Sequence, residues 1–356
     1  MSNRNENTWN MLLQAGLVQN SAPEPEQLES PWYIKLLLAI SGWLASLFLL
    51  GFLGAGFVAI FRSEAASLIV GALFIGAAYS LLRMPKNEFY EHAALAVSLA
   101  GQALIAWVIF DIGNSSWWLV WILIAVFQLG LAIVMPNYIH RVFSSFIAAF
   151  SLSMGLAALS LPYIASSSIM FAAAWLWLHE FDFPIHMQKQ RAIGYGLILA
   201  LIQIKGTALF NPHGIGWYLK KENLDIWITP WMGELLAGAI TLYVVWHILK
   251  RLGHSLTEPV TIAALVGTAF IAAASMEAQG ITVGILILLL GFAGSNRILM
   301  GLGTISLLFY ISAYYYLLDT TLLDKAQTLL LVGLVLLGTR WLLLRIIQTN
   351  RGEQHG

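Results

Sequence analysis

The sequence predicts an all-α fold, a polytopic bundle of about twelve transmembrane helices with both termini in the cytoplasm. Three observations lead to this prediction. The composition is too apolar for a soluble surface, and apolar runs of membrane-spanning length follow one another along the chain. In addition, most lysine and arginine residues fall in the connections that alternation places on one side of the membrane.

The composition indicates that lipid is the main partner of this chain. Of the 356 residues, 59% are hydrophobic and 10% are charged, whereas an average soluble domain carries about 25% charged residues. The 18 basic and 18 acidic side chains are too few to cover a surface of this size, so the rest faces the lipid bilayer. The net charge of zero provides no field that would attract nucleic acid.

Residues 31–346 are predicted to form the transmembrane domain. Each apolar run in it is near the length that about 30 Å of hydrocarbon requires at 1.5 Å per residue. Runs 163–178 and 279–295 are short, so ten or eleven spans remain alternatives to twelve. The predicted runs are 34–61, 65–82, 90–110, 116–135, 141–160, 163–178, 192–210, 231–249, 259–275, 279–295, 298–317 and 325–345.

The distribution of cations favours twelve spans. With the N-terminus inside and twelve alternating helices, 13 lysine and arginine residues lie on the inner side and five on the outer side. If run 163–178 is omitted, each side holds nine, which the positive-inside rule disfavours. The inner set is Arg4, Lys35, Arg83, Lys86, Arg141, Lys189, Arg191, Lys250, Arg251, Arg297, Arg340, Arg345 and Arg351, and the outer set is Arg62, Lys205, Lys220, Lys221 and Lys325.

Both ends of the chain are predicted to be cytosolic. Residues 1–30 combine a short amphipathic helix with an acidic linker that contains Pro23 and Pro25, and residues 347–356 form a polar tail. Residues 1–30 lack the layout of a signal peptide, and run 34–61 is too long for one, so we expect an uncleaved first span.

The longest connection, residues 211–230, is predicted on the outer side. Aromatic rings alternate with charged residues in it, for example at Trp217 and Lys220. We favour a loop that lies in the headgroup layer. A lid over an outward-facing cavity is the alternative, and the sequence leaves both open.

The missing motifs argue against catalysis. The chain has no cysteine, which excludes disulfides, thiolate metal sites and a cysteine nucleophile. The patterns GxxxxGK[ST], GxSxG and HExxH are also absent from the sequence. We therefore predict no catalytic residue and no cofactor, and an enzyme is the least supported class.

Lys205 and Glu234 are the candidate substrate or ion site. Polar groups inside spans are costly and informative, and Gln102 and Gln128 also lie well inside their predicted helices. Lys205 lies near the outer end of its span, and Glu234 is one turn into the next helix from the same side. The two side chains can pair there and bind a substrate or carry a proton. We favour the simpler alternative, a lysine that reaches the interface and a glutamate at a helix N-terminus.

Segment 179–186 holds the densest set of possible metal ligands, namely His179, Glu180, Asp182 and His186. Two imidazoles and two carboxylates suit zinc or a similar ion. However, the spacing matches no strong motif, and Pro184 interrupts any helix that would align the two histidines. We favour a polar cytosolic turn over a metal site here.

The N-terminal third resembles a known family. The residues concerned are Trp9, Leu12-Leu13-Gln14-Ala15-Gly16-Leu17-Val18, Ser30-Pro31-Trp32-Tyr33, Ser41-Gly42-Trp43-Leu44-Ala45 and Leu47–Gly54. They resemble the domain-of-unknown-function family four-four-zero-one, which consists of uncharacterised bacterial multi-pass inner-membrane proteins. The resemblance implies a bacterial cytoplasmic membrane and no catalytic residues. It also implies membrane-protein partners encoded nearby, one of them multi-pass and one membrane-anchored.

Two functions follow as expectations. The first is a structural or assembly subunit of a bacterial envelope complex, which fits the short loops, few buried charges and abundant glycine. The second is a secondary transporter of a small solute, against which the scarcity of ionisable groups at mid-membrane argues.

Overall fold

The computed structural model describes residues 63–84, 88–113, 116–182, 184–210, 230–276 and 280–317, with scattered positions at 11–52 and 321–341. Ten α-helices and one 3-10 turn, Pro184–His186, make up the continuous ranges, and no strand occurs in them. The helices are α1 (Glu64–Leu81), α2 (Glu88–Ile112), α3 (Trp117–Val134), α4 (Tyr138–Ala158), α5 (Pro162–Leu178), α6 (Met187–Phe210), α7 (Pro230–Arg251), α8 (Pro259–Ala274), α9 (Ile281–Ala293) and α10 (Arg297–Leu317).

The predicted all-α class is confirmed, and each of the ten apolar runs between residues 65 and 317 coincides with one helix. Seven helices are long and apolar enough to cross a membrane, namely α1, α2, α3, α4, α6, α7 and α10. Runs 34–61 and 325–345, loop 211–230 and both terminal segments lie wholly or largely outside the described residues. The count of twelve and the cytoplasmic termini therefore stay predictions.

The two runs that looked weakest in the sequence form the most enclosed helices. Ten of the 17 residues of α5 are buried, and eight of the 13 residues of α9, compared with three of the 18 residues of α1. A helix of 13 residues is about 20 Å long, shorter than the hydrocarbon layer. Protein rather than lipid therefore surrounds most of α5 and α9.

The largest apolar core forms around these two short helices. It joins buried side chains of α4, α5, α6, α7, α9 and α10, among them Met170, Ile198, Leu201, Leu286 and Leu290, none more than 2% exposed. Outside this core, α1 packs on α2, α3 on α4, and α8 on α7.

Local signals in the sequence set where several helices begin. Asn137 caps α4 with its side-chain oxygen, which accepts from the backbone N–H of His140 at 3.0 Å. Asn296 caps α10 in the same way through the N–H groups of Ile298 and Leu299. Pro162 and Pro259 occupy the first turns of α5 and α8, where the missing N–H has no partner to lose.

The turn between α7 and α8 is closed by Glu258. One of its carboxylate oxygens accepts from the backbone N–H of Ser255 at 2.9 Å, and the other contacts the His254 ring. These contacts, the Ser255 backbone first, lower the pKa of Glu258. The carboxylate therefore stays ionised while it closes the turn.

Substitution of Gly196 tests the close packing of α6 against α4. A Cβ at Gly196 would overlap the Ser145 hydroxyl and the Val142 carbonyl, whereas a Cβ at Gly130 on α3 would meet nothing within 4 Å. We expect Gly196→Ala to destabilise the protein by about 1–3 kcal/mol. We expect Gly130→Ala to be neutral or to stabilise by up to about 1 kcal/mol, because alanine is the better helix former. Thermal unfolding in detergent compares the two, and equal midpoints would contradict this packing.

Candidate functional site

Buried polar residues of α2, α3 and α4 form a hydrogen-bonded group, which we call the polar cluster (Ser98, Gln102, Gln128, His140 and Ser144). All five side chains are buried. Ser98 and Gln102 lie four residues apart on α2, and His140 and Ser144 lie four residues apart on α4, so each pair shares one helix face. The three helices therefore present their polar faces to one another inside the bundle.

Gln102 is the centre of the polar cluster. Its amide nitrogen lies 3.0 Å from Ser98 Oγ and 3.1 Å from His140 Nε2, and its oxygen accepts from Gln128 Nε2 at 2.9 Å. Ser98 Oγ and Ser144 Oγ lie 2.8 and 3.2 Å from the two ring nitrogens of His140. The Gln102 amide nitrogen only donates, so its contact makes Nε2 an acceptor and places the hydrogen of the His140 ring on Nδ1, which donates to the Ser144 hydroxyl.

Lys205 of α6 and Glu234 of α7 form a buried ion pair between Nζ and Oε1. The residues are 6% and 3% exposed. Glu234 Oε2 is buried without a hydrogen-bond partner in the described part of the chain, and so is Gln203 Oε1. The pairing on which the candidate site depends is thus present, whereas its role as a substrate or ion site stays a prediction.

Close packing surrounds this ion pair. Tyr310 of α10 is fully buried and its hydroxyl donates to the Ile202 carbonyl at 3.1 Å, one turn before Lys205. Ser167 of α5 donates to the carbonyl of Gly233 at 3.1 Å, next to Glu234. Helices α5, α6, α7 and α10 therefore meet around the pair and hold it in place.

Three of the four candidate metal ligands contact different partners, and the fourth, His186, is exposed at the end of the 3-10 turn. Glu180, 1% exposed, forms an ion pair with Arg191 of α6. Asp182 contacts Arg251 of α7 at 3.5 Å, and His179 Nδ1 lies 2.9 Å from the carbonyl oxygen of Trp175. Within the described residues, no three histidine or acidic side chains come together as a metal site would need.

Asp182 and Arg251 belong to a surface pocket of about 330 Å³, which we call the cationic pocket (His179, Asp182, His247, Lys250 and Arg251). It lies where α5 and α7 end. His247 shares one face of α7 with Lys250 and Arg251 because the three are spaced by three and four residues. The rings of His179 and His247 are 5.4 Å apart.

Sequence reasoning missed the polar cluster and the Glu180–Arg191 pair. Gln102 and Gln128 stand out as polar residues inside spans, but His140 lies in the first turn of α4, where a polar side chain is usually solvated, and it is buried there. The spacing of four residues in Ser98–Gln102 and His140–Ser144 is the signal that would have found the cluster.

These features define a helical membrane protein whose buried polar groups lie at contacts between helices. The chain belongs to the family described as Domain of unknown function (DUF4401), which matches residues 31–346 and confirms the resemblance in the N-terminal third. No curated protein and no solved structure matches the chain.

Gln102 and Gln128 allow a graded test of the polar cluster. Gln102→Leu removes one hydrogen-bond partner from each of Ser98, His140 and Gln128, whereas Gln128→Leu removes one only from the Gln102 oxygen and also removes a buried oxygen that has no partner. We expect Gln102→Leu to destabilise by about 1–2 kcal/mol and Gln128→Leu by less. Unfolding midpoints in one detergent measure the difference, and a larger loss for Gln128→Leu would refute the arrangement.

Proposed function

We propose that this chain is a multi-pass subunit with a structural or assembly role in a bacterial envelope complex of the cytoplasmic membrane. The observation that supports this proposal most is that the buried charged side chains are paired between helices. In the part of the chain that the structure describes, the buried lysine and acidic residues are Glu180, Lys205 and Glu234, and each is paired with a neighbouring helix of the same chain. These charges hold helices together.

The energetics of membranes make this observation informative. An ionisable group inside a span is costly and usually marks an ion path or a counter-ion. Here α6 supplies a cation at each of two positions, Arg191 toward α5 and Lys205 toward α7. Pairs of this kind fix the relative positions of helices and leave little charge available for chemistry. A rigid bundle is a suitable platform for partner proteins.

The proposed partners are other membrane proteins. We expect the tagged full-length chain, extracted in mild detergent, to bring down at least one membrane protein in near-equal amount, because an assembly subunit stays bound to its complex. Quantitative mass spectrometry measures this, with an unrelated multi-pass protein of equal abundance as the control. Purification of this chain alone, or with the same set as the control, would refute the proposal.

A secondary transporter of a small solute is the second candidate, and one feature favours it. Glu234 Oε2 and Gln203 Oε1 are buried acceptors without a hydrogen-bond partner among the described atoms. Buried acceptors are normally satisfied, and two such atoms on neighbouring helices would suit a proton or a small cationic solute. In this proposal, Glu234 exchanges Lys205 for the transported species.

The Lys205–Glu234 pair separates the two candidates. We expect Lys205→Met to destabilise the fold by about 3–5 kcal/mol, because it leaves a buried carboxylate unpaired. The double variant Lys205→Met/Glu234→Gln removes both charges and should recover most of that loss. Unfolding midpoints of the purified variants measure the change in stability. Partner recovery from cells that lack the chromosomal copy measures the effect on assembly.

The activity of the double variant is the deciding outcome. If the pair only holds helices together, the double variant restores the complex and rescues any growth defect of the deletion strain. If the double variant folds and binds partners but fails to restore growth or uptake, the charges themselves are needed, and the transporter proposal replaces the structural one.

A further inference from the structure

The cationic pocket carries chemistry that neither proposed function uses. It has a volume of about 330 Å³, near the lower limit of about 300 Å³ for ligand sites. Lys250 and Arg251 contribute two positive charges and Asp182 one negative charge, with two imidazoles beside them. Its formal charge is therefore positive even with both histidines neutral, which suits an anion.

The donors in the pocket suit a phosphate group. Arg251 contacts Asp182 through Nη2 at 3.5 Å, and a guanidinium has five N–H donors, so this contact leaves others for a second anion. Lys250 Nζ lies 5.3 Å from the centre of the Trp246 ring, a distance at which the cation interacts with the ring face.

His179 is oriented by its own helix. A carbonyl oxygen only accepts, so the contact with Trp175 places the hydrogen of the neutral His179 ring on Nδ1 and makes Nε2 an acceptor. His247, 5.4 Å away ring to ring, adds a second imidazole.

Exposed aromatic rings connect the pocket with the apolar surface of the bundle. Phe171 and Trp175 on α5 and His179 directly after it follow each other at four-residue intervals, and Trp175 stacks on His179 at 5.1 Å. Phe171 and Trp175 are 50% and 43% exposed. Tyr243 of α7 lies 6.3 Å from Phe171 and 5.9 Å from His247, ring to ring.

We propose that the cationic pocket binds the phosphate group of an anionic membrane lipid, whose acyl chains lie along Phe171, Trp175 and Tyr243. A soluble phosphate compound would use the cations but has no need of the aromatic rings. A lipid uses both, because its headgroup and its chains meet at the depth where such rings reside.

Native mass spectrometry of the full-length chain in neutral detergent tests this. The probe is phosphatidylglycerol, with phosphatidylcholine as the zwitterionic lipid and inorganic phosphate as the soluble competitor. We expect one phosphatidylglycerol to be retained in preference to phosphatidylcholine. Lys250→Gln and Arg251→Gln should each weaken its retention about fivefold. Both positions are exposed, so the fold tolerates the change.

Two further variants act as internal controls. Arg297→Gln removes an exposed cation at the start of α10, outside the pocket, and should leave retention unchanged. Asp182→Asn removes the acidic neighbour of Arg251 and should strengthen retention. Equal losses in Arg297→Gln and Arg251→Gln would mean general attraction to anions and would overturn the proposal. Displacement of the lipid by millimolar inorganic phosphate would assign the site to a soluble phosphate and overturn the lipid assignment.

Discussion

The enclosure of α5 and α9 is the constraint on which the rest of the bundle depends. The 13 residues of α9 cover about 20 Å of a hydrocarbon layer of about 30 Å, so its ends need protein around them. At one end, Gly280 has a φ of +95°, and a Cβ there would lie 2.6 Å from Tyr310. At the other end, a Cβ at Gly294 would lie 3.7 Å from Glu180 Oε2. Side chains of neighbouring elements therefore reach both ends of the short helix, although Phe292 near the second end is 66% exposed.

Helix α6 connects this core to the buried charges. Arg191 and Lys205 are 14 residues apart on it, which corresponds to about 21 Å along the helix axis. One pairs with Glu180 just after α5, and the other pairs with Glu234 at the start of α7. The two ion pairs therefore fix α6 against different neighbours at different depths. The apolar core provides the burial, and the ion pairs specify how the helices are arranged around it.

The sequence predicts the positions of the helices well, because a span in lipid needs a long apolar run and little else. It also brings Lys205 and Glu234 to the same end of consecutive spans, but there it favours a lysine at the interface over the pair that the structure forms. It does not predict the pairing of Glu180, because the direction of a side chain at a turn depends on which helices meet there. His140 is missed for the same reason. A polar residue near a helix end is usually solvated, and only the packing of α2 and α3 against α4 buries it.

The cations at the end of the bundle where α5 and α7 end have more than one role. The positive-inside rule counts Arg191, Lys250 and Arg251 equally as residues that keep a segment on one side. In the folded protein, Arg191 neutralises a buried carboxylate, whereas Lys250 and Arg251 line an exposed pocket. A mutation of Arg191 is therefore expected to lower the stability of the fold, whereas a mutation of Lys250 is expected to change the charge of the exposed pocket. The same charge signal in a sequence thus records membrane orientation, internal packing and ligand binding, and only the partners of each side chain separate the three.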